Sequence, residues 1–392
     1  MTAQEAAGVA FWRSLKDHEF YGPRVQHLYL YSDVTEESVT KLREEVLAAC
    51  RSEKTPTGGA WTSPKPIVLH VHSIGGSVYA MQWLLSLFNQ VHVPVCALVD
   101  GYSASAATAI SVMAPYRVGT SHSMSLLHDG SDVVVGNRED VLEMVRASEV
   151  EHVAFRRLYA ARTRITETAM DAMMRRDMWL DAPTCLRLGV YDRVISPDRR
   201  ADVRRYIASS KMARLSLSDA PFFKTNWNRV YARCDVEGAR GFDAILGSED
   251  QAKPVLYVAP GSGCGDRMAA VAMIARVLSS GVPVFGIVDN VVTWWQLLPV
   301  LFCNRRFMYE NATLDSNMVY QVAWGARLED INHNVAAFRA IVRGAVRARG
   351  RPTAALLADM FDRRRFFTAQ ECKDNGLIDE VVSLSAGVSR PG

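Results

Sequence analysis

The 392-residue sequence predicts an α/β protein built from two tandem copies of one domain, and two observations carry that reading. Short β-type runs alternate with helical periods along both halves. Landmarks of the first half also recur in the second in the same order. "VPVCALVDGYSASAA" (Val93 to Ala107) returns as "VPVFGIVDNVVTWWQ" (Val282 to Gln296), a shift of 189 that also carries Gly76 to Gly265. "YSDVTE" from Tyr31 resembles "RCDVEG" from Arg233. "DAPTCLRLGVYDRVI" from Asp181 matches "TAQECKDNGLIDEVV" from Thr368, with Gly189 and Gly376, then Asp192 and Asp379, each pair 187 apart. A repeat of roughly 180 residues follows. The expected boundaries are a first domain at 1–208, a linker at 209–228 around "SSKMARLSLSDAP", and a second domain at 229–392.

The elements of the first half can be justified in order. "HLYLYS" (His27 to Ser32) alternates as a strand, and "TEESVTKLREEVLAAC" is a helix opened by Thr35 with Glu36 and Glu37 in its first turn. A loop rich in Gly, Pro, Ser and Thr (Ser52 to Lys65) leads to the strand "PIVLHVHS". Gly75-Gly76 then turns the chain into a helix from Val78 to Gln90. Two consecutive glycines imply a backbone conformation closed to other residues or a close approach to the turn. The strand "VPVCALVDG", the helix "SASAATAISVMA", the strands "YRVGTS" and "SMSLLHDG", and a long helix from Asn137 to Arg162 follow, with right-handed crossovers expected.

Composition narrows the function classes. The formal net charge is only +3, and the Arg-rich pieces at Arg199 to Arg205, Arg343 to Arg351 and Arg363 to Arg365 read as solvated helix faces, so no nucleic-acid partner is expected. No apolar run reaches the roughly 18 residues of a membrane span, and Met1 to Asp17 lacks a signal-peptide core, so an intracellular, cytoplasmic chain is expected, with an organelle still open. The seven cysteines form no C-x-x-C pair and read as buried free thiols. His70 and His72 share one strand face, but no carboxylate or thiol stands at a matching spacing, so neither a metal nor another cofactor is expected.

Chemistry concentrates where "GYSASAAT" (Gly101 to Thr108) turns from strand to helix, since backbone N–H groups gather at the positive end of a helix dipole. Ser103, Ser105 and Ser111 are the candidates there, and Ser103 reads as the N-cap. His128 ends the apolar run "SLL", and adjacent Asp129 points to the opposite face if the strand continues. Asp181 reads as an N-cap, as does Thr368, which Glu371 completes as a capping box.

"SIGGSV", "PVCALVDGYSASAAT", "SLLHDG" and "DMWLDAPTCLRLGVYD" together resemble the ClpP family, the proteolytic subunit of the Clp protease. That resemblance implies a crotonase-like fold of superhelical ββα repeats and a serine peptidase. Carried over residue by residue, it makes Ser105 the nucleophile, His128 the base and Asp177 the third member of a triad, with Gly76 and Ala106 as oxyanion-hole N–H donors. The interval from Ser105 to His128 is about two residues shorter than the family's, at "APYR". Ile74 stands where the family has Pro, and Ala106-Ala107 where it has Met-Gly; backbone donors survive both changes, whereas pocket shape and loop rigidity need not.

In the second copy the nucleophile position falls on Trp294, the histidine position on Tyr320, and the aspartate position on Arg364, with Asp362 two residues off register. His333, the lone histidine of this copy, falls in a helical segment. This reads as a degenerate pseudopeptidase scaffold. The resemblance further implies a peptide or unfolded-protein substrate, homo-oligomers or hetero-oligomers with ClpP-like subunits, and a separate AAA+ unfoldase. The long helix and "INHNVAAFRAIVRGAVRARG" (Ile331 to Gly350) carry apolar surface suited to such assembly. The alternatives are a non-catalytic scaffold subunit and a crotonase-type acyl-CoA enzyme. A tandem signal-peptide-peptidase relative would need a Ser/Lys dyad and a membrane anchor, for which this sequence offers no candidate.

Overall fold

Strands too apolar for one solvated face organise the chain. The computed structural model describes residues 3–51, 53–54, 61–62, 64–88, 90–130, 138–196, 198, 228–231, 255–259, 267–316, 328–352, 357 and 365–383. Two units emerge: Met1–Ile195 with Ala323–Asn334, and Ser196–Val322 with Val335–Gly392.

In chain order the first unit has strands β1 (Gln26–Leu30), β2 (Glu53–Lys54), β3 (Trp61–Thr62), β4 (Ile67–Ser73), β5 (Val95–Ala104), β6 (Tyr116–Thr120), β7 (Met124–Leu127), β8 (Met178–Asp181) and β9 (Arg193–Ile195). Its helices are α1 (Ala3–Ser14), α2 (Glu36–Ala49), α3 (Val78–Phe88), α4 (Ala106–Met113), α5 (Arg138–Arg162), α6 (Glu167–Met174) and α7 (Ala182–Leu188). β1, β4, β5, β6 and β9 lie side by side in that order, all parallel. Every residue of β4 and β5 is buried, as parallel strands covered on both faces require. Leu69, Val71, Ala97 and Val99 pack toward α2, α3 and α4, while Val68, Cys96 and Leu98 meet Trp12, Leu15 and Phe20 of the N-terminal segment.

β5 changes neighbours along its length. It pairs with β6 over Cys96 to Val99 and with β7 over Tyr102 to Ala104, and β8 adds antiparallel to β7. This corrects one expectation: Ser103 is not the helix cap but a buried strand residue, 2.9 Å from Ser125 Oγ, because the ladder to β7 runs on through Ala104. The N-cap position belongs to Ser105, and α4 starts three residues later than expected. Asp181 does cap α7, accepting the Thr184 N–H at 2.9 Å, and Gly189 closes that helix at φ 74°.

The second unit has strands β10 (Asn228–Tyr231), β11 (Val255–Ala259), β12 (Val284–Val288), β13 (Val291–Thr293), β14 (Arg305–Tyr309), β15 (Thr313–Asp315), β16 (Phe366–Thr368) and β17 (Glu380–Val382). Its helices are α8 (Arg267–Ser279), α9 (Trp294–Phe302) and α11 (Ala369–Asp374), with α10 (Leu328–Arg349) beginning among residues grouped with the first unit. β10, β11, β12, β14 and β17 form a parallel sheet in that order, and β13 pairs with β15, which pairs antiparallel with β16. Thr368 and Glu371 form the expected capping box. The expected join at 209–221 lies outside the described residues, as do Cys234, Cys264, Gly265, Tyr320, Asp362 and Arg364.

A polar network fills the layer between the β1–β4–β5 ladder and the N-terminal segment. The Asp100 carboxylate accepts the Tyr21 and Tyr31 hydroxyls, both at 2.5 Å, and lies 2.8 Å from His70 Nδ1. His70 Nε2 in turn meets His27 Nδ1 at 2.9 Å. A carboxylate therefore does stand beside His70, contributed by the neighbouring strand rather than by spacing along its own. His72, fully buried beneath Tyr102 at a 4.4 Å ring separation, is held neutral: burial lowers its pKa from 6.5 to about 3.

Two predictions follow from burial and backbone. The unfolded chain takes up a proton on His72 below about pH 6.5 that the folded chain refuses until near pH 3, so stability present above pH 6.5 is lost as pH falls, by up to about 1.4 kcal/mol per unit. His72→Phe is expected to flatten the decline in urea midpoint between about pH 7 and about pH 4.5. Among the described residues, the non-glycine positions with positive φ are Ser105 (54°) and Asp177 (47°). Each such conformation costs about 1–3 kcal/mol. Ser105→Gly is therefore expected to unfold at higher urea than Ser105→Ala, and Asp177→Gly at higher urea than Asp177→Ala; the reverse order would mean that neither backbone is strained.

Candidate active site

His128 and Asp177 pair at one corner of the first unit, and strand register carries Ser105 to the same end of the sheet. Ala104 pairs with Leu126 across the parallel β5–β7 ladder, so Ser105 leaves β5 beside Leu127, one residue before His128. Leu127 pairs with Met178 across the antiparallel β7–β8 ladder, so the next step outward sets His128 opposite Asp177. The corner lies at the carboxyl ends of β5 and β7, where parallel sheets present their ligand sites.

Ser105 adopts φ 54°, ψ −126° on a sharp turn from β5 into α4, and it is partly exposed whereas its neighbours from Gly101 to Ala104 and from Ala106 to Val112 are buried. A serine on a strained strand-to-helix turn is held out from the sheet with helix N–H groups beside it. His128 Nδ1 lies 3.3 Å from Asp177 Oδ1, and its Nε2 is buried with no hydrogen-bond partner. The His128 side chain is 17% exposed and that of Asp177 59%, so the imidazole is sheltered while its carboxylate neighbour reaches solvent. Asp129 does not compete: its carboxylate lies 3.5 Å from Arg156 Nε, and its N–H donates to Met174 C=O at 3.0 Å.

The paired glycines are explained by what they touch. A Cβ on Gly75 (φ 95°) would fall 2.5 Å from Ala104 O, 2.6 Å from Ser105 Cβ and 2.9 Å from Ala106 N. A Cβ on Gly76 (φ 143°) would fall 2.4 Å from Val34 O. Gly75 thus lets the turn lie directly against the Ser105 elbow, and Gly76 lets it pass the chain before α2, where Val34 N–H donates to Gly75 C=O and Ser77 N–H to Val34 C=O, each at 2.8 Å. The Ala106 N–H, at the first position of α4, has no acceptor within its own helix. The turn therefore lies directly against the elbow that carries Ser105.

Residues that sequence reasoning missed also reach this corner. Asn334, grouped with the first unit although it falls within 229–392, donates Nδ2–H to Asp177 C=O at 3.3 Å and accepts the Trp179 N–H at 3.4 Å. His333 Nε2 lies 3.2 Å from Trp179 C=O. No spacing signal in the sequence links these two to Asp177. Trp294 is fully buried at the start of α9, and its proposed companions Tyr320 and Arg364 lie outside the described residues. Among the described residues no group of His, Cys, Asp and Glu has the arrangement of a metal site.

The stretch of chain that holds this corner is similar to known proteins. Residues 29–198 match the model of the Clp protease family. The chain is 27% identical over 136 residues to ATP-dependent Clp protease proteolytic subunit 1 of Protochlamydia amoebophila, covering 34% of this chain and 66% of that protein. It is 29% identical over 141 residues to proteolytic subunit 2 of Treponema pallidum, covering 36% and 70%, and 28% identical over 141 residues to proteolytic subunit 1 of Chlamydia muridarum, covering 34% and 72%. The matched stretch contains the β5–α4 elbow, the Gly-Gly turn and the β7–β8 corner, and over those residues the chain is similar to the Clp protease family.

Proposed function

We propose that the first unit is a serine peptidase that cleaves peptide bonds through an acyl-enzyme. The observation that carries this is the His128 imidazole, with Nδ1 turned to Asp177 and a buried, unpartnered Nε2 at the strand end next to the Ser105 elbow. A serine hydroxyl is a poor nucleophile near neutral pH, so Nε2 takes its proton as Oγ attacks the scissile carbonyl. Asp177 holds the imidazole in the tautomer with the proton on Nδ1 and stabilises the imidazolium that forms. The oxyanion is met by the Gly76 and Ala106 N–H groups, each worth about 3–4 kcal/mol of barrier. Nε2–H then protonates the leaving amine, and water releases the acyl group by the same path. Catalytic hydrogen bonds are commonly long before substrate binds, which fits the 3.3 Å separation of His128 from Asp177.

The second unit is proposed to be a copy that kept its scaffold and lost this chemistry. Its strand order matches that of the first, with the same parallel ladders and the same antiparallel partner at the corner. Two conserved-shift clamps support the reading. Asp192 accepts from Arg117 N, Nε and Nη2 at 2.9, 2.9 and 2.5 Å; Asp379 accepts from Arg306 N, Nε and Nη2 at 2.8, 3.2 and 2.5 Å, and Arg117 and Arg306 are 189 apart. Arg162 reaches the carbonyls of Val112 and Ala114, and Arg349 those of Leu301 and Cys303; the carbonyls are again 189 apart and the two arginines 187.

The relatives carry the name of subunits of an ATP-dependent protease, and this chain is proposed to assemble likewise and to take unfolded protein from a separate unfoldase in an intracellular compartment. Leu142, Met144, Val145 and Val150 of α5 are 45–70% exposed, an apolar stripe that supports burial against another subunit.

A fluorophosphonate probe is expected to label Ser105 and nothing in Ser105→Ala; an assembled protein that takes up no label would instead be the scaffold subunit. Asp177→Asn is expected to slow labelling by about 10³-fold or more, and Asp129→Asn by no more than about threefold. Trp294→Ser combined with Ser105→Ala is expected to hydrolyse nothing, and any hydrolysis by that variant would overturn the reading of the second unit.

A further inference from the structure

Two carboxylates neighbour His128, and the imidazole needs only one. Asp129 follows it directly in sequence, and both lie beyond the last ladder pair of β7, Leu127 with Met178, so no strand pairing fixes their side chains on opposite faces. One of the Asp129 carboxylate oxygens is buried and accepts no hydrogen bond, and its ion-pair partner is the Arg156 guanidinium of α5, 3.5 Å away. Arg156 is itself only 11% exposed, so this is a sheltered charge rather than a loose surface contact. Its Nη1 binds Asp171 of α6, and its Nη2 reaches Glu149 at 3.2 Å. Asp171 also takes the Arg175 Nε at 3.1 Å, and Arg175 caps α6 two residues before Asp177. The Asp129 charge is felt at Arg175 as well, but that side chain is exposed and engaged with Asp171.

One guanidinium therefore grips both sides of the His128–Asp177 pair: the segment after the base through Asp129, and the helix before the orienting carboxylate through Asp171. We propose that Arg156 is a positioning residue that sequesters Asp129 and so leaves Asp177 as the carboxylate that orients His128. Without the guanidinium, the Asp129 carboxylate loses its sheltered counter-charge, and the cation it could most readily gain is a protonated His128. The imidazole would then turn from Ser105, or stay protonated, and in either state accept no proton from the hydroxyl. Arg suits the task because its planar fork contacts three carboxylates at once, which a lysine cannot do. The inference rests on the peptidase reading of the corner.

The test is a cycle of variants in the full-length chain, read with the fluorophosphonate probe. Arg156→Gln is expected to lower the maximal labelling rate about tenfold while the half-saturating probe concentration stays within about twofold. The double variant Arg156→Gln/Asp129→Asn is expected to recover to within about threefold of the parent, since no competing carboxylate remains. Arg156→Gln labelling at the parental rate, or a double variant no faster than the single, would overturn the proposal and leave Arg156 a purely structural tie. Should Arg156→Gln fail to fold, Arg156→Lys takes its place, with a smaller loss that Asp129→Asn again reverses. If the parent itself takes up no probe, the peptidase reading fails. Sequestration is then read separately from acylation of His128 by diethyl pyrocarbonate at one fixed pH, quantified by peptide mass spectrometry. A slower reaction in Arg156→Gln that returns in the double variant supports it, and equal rates in all three proteins refute it.

Discussion

The corner depends on one contact that no residue with a Cβ could make, the approach of Gly75 to Ala104 O, Ser105 Cβ and Ala106 N. With no room for a Cβ between them, the turn after β4 and the elbow after β5 become a single surface. Ser105 is held at a positive φ by packing rather than by preference, since serine disfavours that region. Gly76 extends the constraint to a third element, because only a residue without Cβ passes the Val34 carbonyl at that distance. Three crossover connections therefore converge on a few peptide groups. Their rigidity is what the proposed oxyanion donors need, since such donors stabilise charge only if they are already in place.

The Asp100 network gives the same strands a second tie on the opposite face of the sheet. A buried carboxylate is costly unless it is fully hydrogen-bonded, and here two tyrosines and a histidine, from the N-terminal segment, the residue just after β1, and β4, converge on it. It sits where β5 leaves β6 for β7, one residue before Gly101, so the bend that aims Ser105 outward is anchored at its inner side. Polar anchoring suits this position better than apolar packing would. Hydrogen bonds to a charged group are directional and fix register, whereas packed methyl groups permit the strand to slide.

Much of this was legible in the sequence, and the reasons are specific. The Gly75-Gly76 pair announced a close approach because glycine is the residue that such geometry demands. The caps at Asp181 and Thr368 were readable because capping is local, involving side chains and amides within three residues. Ser103 was misread because β7, a partner from 22 residues further along at Ser125, keeps it in the ladder, and strand pairing is not written locally. The carboxylate beside His70 escaped for the same reason, as did Asn334, which touches the Asp177 turn from far along the chain. What is encoded within a turn or two of backbone could be read; what depends on which strand lies next door could not.

The proposed duplication separates two kinds of constraint that a single domain leaves mixed. The Arg117–Asp192 and Arg306–Asp379 clamps hold a β-strand to the segment after the last helix of their units, and no other side chain offers the planar fork that makes these contacts together. The nucleophile position carries no such penalty. Ser105 sits in a strained conformation that contributes nothing to stability, so loss of function there would relax the backbone and admit an apolar side chain. Trp294 is fully buried at the head of a helix capped by Thr293 in an ordinary extended conformation, φ −94° and ψ 174°. A site freed from chemistry would drift in that direction, toward burial and unstrained backbone, while the clamps that keep the strands in order stay as they were.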